Sequence, residues 1–123
     1  MGYRSDIAIA IHKDQIGEFL TFLKTTQVMH EIFGQHGFTL NKDFQGEGHW
    51  LFTESQIKWY TDSPEHYPEV DVFEKFFDLM DEDEKTDNKY RFVRIGEQND
   101  DVEERGDWWD SELHVKREIA IGW

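Results

Sequence analysis

Residues 3 to 12 read Tyr-Arg-Ser-Asp-Ile-Ala-Ile-Ala-Ile-His, and the alternation within them constrains the fold more than any other stretch of the chain. Successive side chains leave a strand on opposite sides. Ile7, Ile9 and Ile11 therefore point one way and Ala8, Ala10 and His12 the other. The pattern predicts a β-strand with a large-residue face against a core and a small-residue face elsewhere.

The elements that follow can be read in order. Asp14 is placed as the N-cap of a helix over about Gln15 to Phe33. Ile16, Phe19, Leu20 and Leu23 form its apolar stripe, Met29, Ile32 and Phe33 resume it, and Thr25-Thr26 is a break point. Phe38 to Phe44 and Trp50 to Tyr60 read as strands joined by a Gly46-Glu47-Gly48 turn. Pro68 suits the first turn of a second helix, and Glu69 and Asp71 favour the positive end of its dipole. Val70, Phe73, Phe76, Phe77 and Met80 are the apolar stripe of that helix, and Asp71, Glu74, Asp78 and Asp81 or Glu82 its opposite face. Lys89 to Ile95 and Glu112 to Trp123 read as the last strands, the final one interrupted on its apolar face by Arg117. The order β-α-β-β-α-β-β predicts one α+β domain over residues 1–123. Two helices pack on one face of a mainly antiparallel sheet, as a ferredoxin-like sandwich.

Charge narrows the function classes. The formal net charge is −14, and it is unevenly placed. Asp62 to Asp87 holds eleven acids against two lysines, and Glu97 to Glu112 holds eight acids against Arg105. The other eight acids are outnumbered by ten basic residues. So acidic a chain is repelled by nucleic-acid phosphates and by anionic membrane. An aromatic content of 15 % argues against disorder as the explanation. There is no cysteine, hence no disulfide and no thiolate metal site, and no apolar run approaches a membrane span. The expected location is the cytoplasm.

The stretch Ile95 to Asp110 is a long acidic connection bounded by Gly96 and Gly106, and a connection of this length is usually functional or disordered. Trp108 and Trp109 end it. Adjacent residues of an extended chain point to opposite faces, so one tryptophan is expected to cover the core edge and the other to face solvent as a binding hot spot, the alternative being that both pack over the open end of the sheet. Arg94 and Glu97 flank its start. Either they form an anion-binding or catalytic pair, or Arg94 grips acids of the loop and pins it to the sheet, the reading a net-acidic loop favours.

Three stretches carry a resemblance: Met1-Gly2-Tyr3-Arg4-Ser5-Asp6-Ile7; Lys58-Trp59-Tyr60 with the proline-containing loop after it; and Tyr90 to Glu97 followed by Asp100-Asp101-Val102-Glu103-Glu104. In these the chain resembles a loose group of small acidic proteins encoded by tailed bacteriophages and prophages. The resemblance implies a phage origin and the host cytoplasm as the site of action. It brings no catalytic residues with it.

Chemical signatures are sparse. The six histidines include no helical i, i+4 pair, and no serine sits in a nucleophile elbow. Asp81 to Asn88 lacks the glycine and closing glutamate of a calcium loop. The chain is therefore expected to be non-enzymatic and without a cofactor. The favoured expectation is mimicry of a nucleic-acid backbone against a basic, nucleic-acid-handling host protein. Asp71, Glu74, Asp78, Asp100, Asp101, Glu103 and Glu104 supply charge, and Trp108 or Trp109 the apolar anchor. One alternative is a divalent-cation protein or small enzyme using the 97–104 acids. Another is a homo-oligomeric assembly protein, a homodimer for example, that pairs through a flat face of Ala8, Ala10, Ala120 and Gly122.

Overall fold

The strand Ser5–Ile11 (β1) runs through the middle of a five-stranded antiparallel sheet. It pairs on one side with β3 (His49–Ile57) and on the other with β4 (Tyr90–Gly96), so that Ile9 faces both Phe52 and Phe92. A hairpin places β2 (Thr39–Phe44) outside β3, and β5 (Val102–Arg105) lies outside β4, giving the order β2-β3-β1-β4-β5. This computed structural model describes residues 4–26, 32, 38–59, 68–82, 90–98, 101–106, 108, 111, 113–115 and 121–122. Among them are two helices of more than one turn, α1 (Ile16–Lys24), entered through a 3-10 turn at Lys13–Gln15, and α2 (Pro68–Glu82).

Both helices cover the isoleucine face of β1. Ile7, Ile9 and Ile11 share one core with Phe19 and Leu23 of α1 and with Phe73, Phe76, Phe77 and Met80 of α2. Its centre is aromatic: Phe19 lies 5.6 Å from Phe73 and 5.0 Å from Phe76, and Phe77 stacks on Tyr90 at 4.9 Å. Each ring removes a large apolar area from water, and offset and edge-on pairs add about 0.5–1.5 kcal/mol apiece. The helix-forming pattern of α2 is realised as expected, from Pro68 and the acids of its first turn to a last turn without a basic residue.

The opposite face of the sheet is also covered. Ala8 and Ala10 are fully buried under Phe44, Leu51, Val93, Trp108 and Leu113, with Ile121 packed beside them. Small residues on β1 leave room there for a tryptophan ring, and close packing requires that the space be filled. The face expected to be free for a second copy is thus occupied, at Ala8 and Ala10, by the chain itself.

Four expectations need correction. The long connection after β4 is largely a strand: β5 pairs Ile95 with Val102 and Phe92 with Arg105. The segment 112–123 is not one strand. His114–Val115 (β6) pairs antiparallel with Ile121–Gly122 (β7) in a separate two-stranded ladder, so the chain reverses between them. A continuous strand would have set Arg117 on an apolar face, an unpaired charge that burial penalises heavily; residues 116–120 themselves lie outside the described ones. Asp14 does not cap: His12 stands at the start of the 3-10 turn, its Nδ1 accepting the Asp14 N–H at 3.1 Å. The first helix ends at Lys24, where the Thr25 and Thr26 hydroxyls donate to the carbonyls of Phe22 and Leu23, each at 2.7 Å. Its expected continuation lies outside the described residues apart from Ile32, which is helical and buried. With β5 added and the last strand replaced by a ladder, the architecture is α+β but not a plain β-α-β-β-α-β-β sandwich. Among the described residues no helix is long and apolar enough to cross a membrane.

Candidate functional site: a carboxylate surface pinned by arginines

Alternation along β5 decides where the acids of the old loop go. Val102 and Glu104 leave one face of the strand, Glu103 and Arg105 the other. Glu103 and Arg105 share the helix-side face with Phe92 and Arg94, their cross-strand partners. Three arginines then organise the surface.

Arg105 reaches from β5 to the flank of α2. Its guanidinium donates to Glu74 Oε2 at 2.7 Å, Asp78 Oδ1 at 3.1 Å and Asp81 Oδ2 at 2.8 Å, and lies 5.3 Å from the centre of the Phe77 ring. Residues 74, 78 and 81 are spaced four and three apart, which stacks them on one stripe of the helix. One cation therefore serves three anions. Burial is the largest influence on the Glu74 carboxyl and holds it above the ordinary carboxylate range; the charges of Glu103 and Asp78 push the same way. The Trp59 indole N–H, which donates to Glu74 Oε1 at 2.9 Å, and Arg105 pull it back without winning. An ion pair normally lowers a carboxyl pKa. Here the shared arginine cannot offset desolvation plus two like-charged neighbours. Burial works against the charge of Arg105 as well, but its hydrogen bonds to Asp81 and Asp78 and the nearby negative charges leave its pKa above the usual arginine value. Tyr90, buried and donating its hydroxyl to Asp81 Oδ1 at 2.8 Å, is pushed well above the normal tyrosine range.

Arg94 holds the turn between β4 and β5. It grips Asp101 in a two-pronged contact at 2.7 and 3.1 Å, donates to Glu103 Oε1 at 3.2 Å and reaches Ser5 Oγ at 3.2 Å. The hydrogen bond to Asp101 is the main reason its pKa lies above the usual value. The pinning role is the one the geometry shows for Arg94. Glu97 does not pair with it: its carboxylate accepts the Arg4 backbone N–H at 2.9 Å and ties the strand end to the start of the chain.

Arg91, on the other face, is almost wholly buried. It donates to the Leu113 carbonyl at 3.1 Å, the Gly106 carbonyl at 3.0 Å and Glu104 Oε1 at 2.7 Å, joining β4, β5 and the segment before β6. Gly106, at φ +96°, makes the close approach possible: a Cβ there would fall 2.1 Å from the Tyr90 carbonyl oxygen.

The structure thus places the expected charge-bearing residues in three groups. Glu74 and Asp78 are bound to Arg105, Asp101 and Glu103 to Arg94, and Glu104 to Arg91, while Asp71 pairs with Lys75 at 2.9 Å one turn along α2. Asp100 lies outside the described residues, as does Trp109. Trp108 is 7 % exposed and belongs to the alanine-side core. Its ring meets His12 at 5.2 Å, His49 at 4.7 Å and Phe44 at 6.3 Å, all edge-on. It closes the core over Ala8 and Ala10, together with Phe44 and Leu113, and is not an exposed anchor. Sequence reasoning missed Arg105, Arg91 and Asp81 as organising residues. The available signal was the period-two placement of Val102-Glu103-Glu104-Arg105, masked by its shortness and by its having Val102 as its single apolar residue.

Among the described residues no group of three or more histidines, aspartates or glutamates has the arrangement of a metal site. His49, buried beneath Trp108, accepts the Lys13 backbone N–H at Nδ1 (2.9 Å) and meets Glu47 through Nε2 (3.2 Å), a structural pairing. Neither a protein-family model, nor a curated protein, nor a solved structure matches the chain.

Proposed function

We propose that this is a non-enzymatic acidic protein that occupies the basic, nucleic-acid-binding cleft of a partner protein in place of a nucleic-acid backbone. The observation that carries the reading is the fixed excess of anions along α2 and β5. Five carboxylates, those of Glu74, Asp78, Asp81, Asp101 and Glu103, are positioned by two guanidinium groups. The arginines orient the acids without neutralising them, and Asp78 keeps 66 % of its side chain exposed. Holding side chains in place before binding lowers the entropy lost on association. A row of carboxylates about 5–6 Å apart on a helix can meet lysines and arginines that otherwise contact phosphates. The partner class that fits is a host nuclease or polymerase. With the phage resemblance, the role becomes counter-defence in the host cytoplasm. Split β-α-β connections, in which β3 lies between β1 and β2 and β1 between β3 and β4, support reading the scaffold as a ferredoxin-like sandwich extended by β5.

The test is affinity capture from host lysate at low salt, followed by a salt gradient. The captured partner should be basic, and its affinity should fall steeply with salt. Reversing Asp78 and Asp81 to lysine should weaken capture at least about tenfold, since rim charges set the electrostatic part of affinity. Binding that ignores salt and survives those reversals refutes the proposal.

A further inference from the structure

The flank of α2 that faces α1 has a different chemistry from the flank that faces β5. Between the helices lies a groove of about 400 Å³ lined by Glu18, Phe22, Phe76, Leu79, Met80 and Glu82. That volume is within the range of ligand pockets, ~300–1,000 Å³. Phe76 and Met80 are buried and Phe22 half-buried, whereas Leu79 stands 50 % exposed. Leu79 and Val102 are the large apolar residues most exposed among the described ones, and Val102 is on the far edge of the sheet.

Among the described residues that line the groove, the charge is of one sign. Glu18 and Glu82 are exposed, and neither has an ion-pair partner among the described residues. The last turn of α2 carries no base, so the partial negative charge of its carbonyl end adds to that of Glu82. Lys75, one turn before Leu79, is held by Asp71 at 2.9 Å. Lys24 follows Phe22 by two residues, which places it about 200° round α1 from the groove.

We propose that the groove is a docking slot for a basic amphipathic helix. Leucine-like side chains of that helix sit on Phe22, Phe76, Leu79 and Met80, and its lysines or arginines meet Glu18 and Glu82. Amphipathic helices bind grooves of this kind through apolar anchors at i, i+3, i+4 and i+7. The inference rests on the preceding reading only for the partner's positive charge; the slot itself stands on the α1–α2 geometry. It gives the partner a second, apolar foothold on the same helix, on the side roughly opposite the acids that Arg105 holds: Phe76 is about 200° round from both Glu74 and Asp78.

The test uses the full chain and three synthetic helical peptides long enough to carry one full set of i, i+3, i+4 and i+7 anchors. The first is a Leu/Lys peptide with leucines at i, i+3, i+4 and i+7, the second has serine in place of leucine, and the third has glutamate in place of lysine. Amide and methyl NMR shifts and fluorescence anisotropy are read on wild type, Leu79→Lys, Glu18→Lys/Glu82→Lys and Val102→Lys. Leu79 is exposed enough for its replacement to leave the fold intact, which the spectrum itself verifies. The Leu/Lys peptide should perturb Phe22, Phe76, Leu79 and Met80 and bind at least about tenfold more tightly than either control. Leu79→Lys should weaken it about tenfold or more, the loss typical of an interface anchor. Val102→Lys, the same change at the exposed apolar residue on the far edge of the sheet, should leave it within about twofold, as expected of a distant, independent site. Equal binding of the Leu/Lys and Ser/Lys peptides overturns the slot. So does retention of affinity in Leu79→Lys, or perturbation confined to Glu74, Asp78 and Asp81. If the slot behaves as expected while the acid reversals leave partner capture unchanged, the carboxylate surface falls and the groove stands.

Discussion

Replacing Arg105 with methionine isolates the junction on which the carboxylate surface depends. The change keeps most of the stem and removes the guanidinium, leaving Glu74, Asp78 and Asp81 with no cation between them. The contact with Glu74 is the largest contributor, because the side chains are only 22 % and 18 % exposed. A charge-assisted hydrogen bond of this kind is worth about 1.5–3 kcal/mol. Asp78 and Asp81 are 66 % and 46 % exposed, so solvent screens their pairs and each adds about 0–1 kcal/mol. The guanidinium over Phe77 contributes about 0.5–1 kcal/mol more. The central expectation is a loss of about 3 kcal/mol. For a domain of this size that corresponds to a fall in Tm of about 10 °C. Thermal and urea unfolding followed by circular dichroism measure it. Because removal of the cation leaves like charges together, added salt should recover part of the loss in the variant and change wild type less. Glu74→Gln in the Arg105→Met background should recover more, a coupling that a double-mutant cycle exposes. A fall in Tm below about 2 °C, or strict additivity of the two substitutions, refutes the clamp.

Trp108→Ala should cost about 3–5 kcal/mol through the cavity left over Ala8 and Ala10, read by urea unfolding; a change under 1 kcal/mol contradicts its role in closing that core. Gly106→Ala forces both a positive φ and a clash with the Tyr90 carbonyl, and should destabilise by more than the roughly 1–2 kcal/mol of the left-handed conformation alone; hydrogen exchange should show the loss in the β4–β5 hairpin first. The pH dependence of Glu74 has a definite sign. Its carboxyl is raised in the folded state, so the native form binds a proton more readily than the unfolded chain. Relative to Glu74→Gln, wild type should gain stability as pH falls from neutral through the folded pKa towards 4.5, the ordinary value, and the Tm difference measured at stepped pH should move in favour of wild type. A constant difference contradicts the burial of that carboxyl.

The parts of the fold written in long, periodic patterns were legible in the sequence. The β1 alternation, the α2 stripe after Pro68 and the β2–β3 hairpin around Gly46 and Gly48 appear where the pattern puts them. Short elements without apolar periodicity were not. Four residues, Val102 to Arg105, become a strand because β4 offers a free edge and because Arg94 and Arg91 bind acids on both of its faces. Neither cause is visible along the chain. The candidate site was legible as charge but not as pairing: seven acids were nominated as a free surface, tertiary contacts gave five of them internal cations, and Asp71 pairs with Lys75 within its own helix. The pinning role of Arg94 was readable, since a net-acidic stretch beside an arginine implies it. Trp108 was ambiguous for a stated reason, the opposite pointing of neighbouring residues, and burial resolves it inward.

The central position of β1 also sets an order in time. Ser5–Ile11 is synthesised before either of its neighbours, and its alanine face is not sealed until Trp108 and Leu113 have been added. At roughly 5–20 residues per second a ribosome takes about 5–20 s over that interval. Within it the Ile7, Ile9 and Ile11 row lacks α2 until residue 82 has been made, and the two backbone edges of the strand lack β3 and β4 until residues 57 and 96 have been made. Pairings this distant in sequence are slow to form. The strand that holds the finished sheet together is therefore the segment on which a chaperone, or a neighbouring nascent chain, would act first.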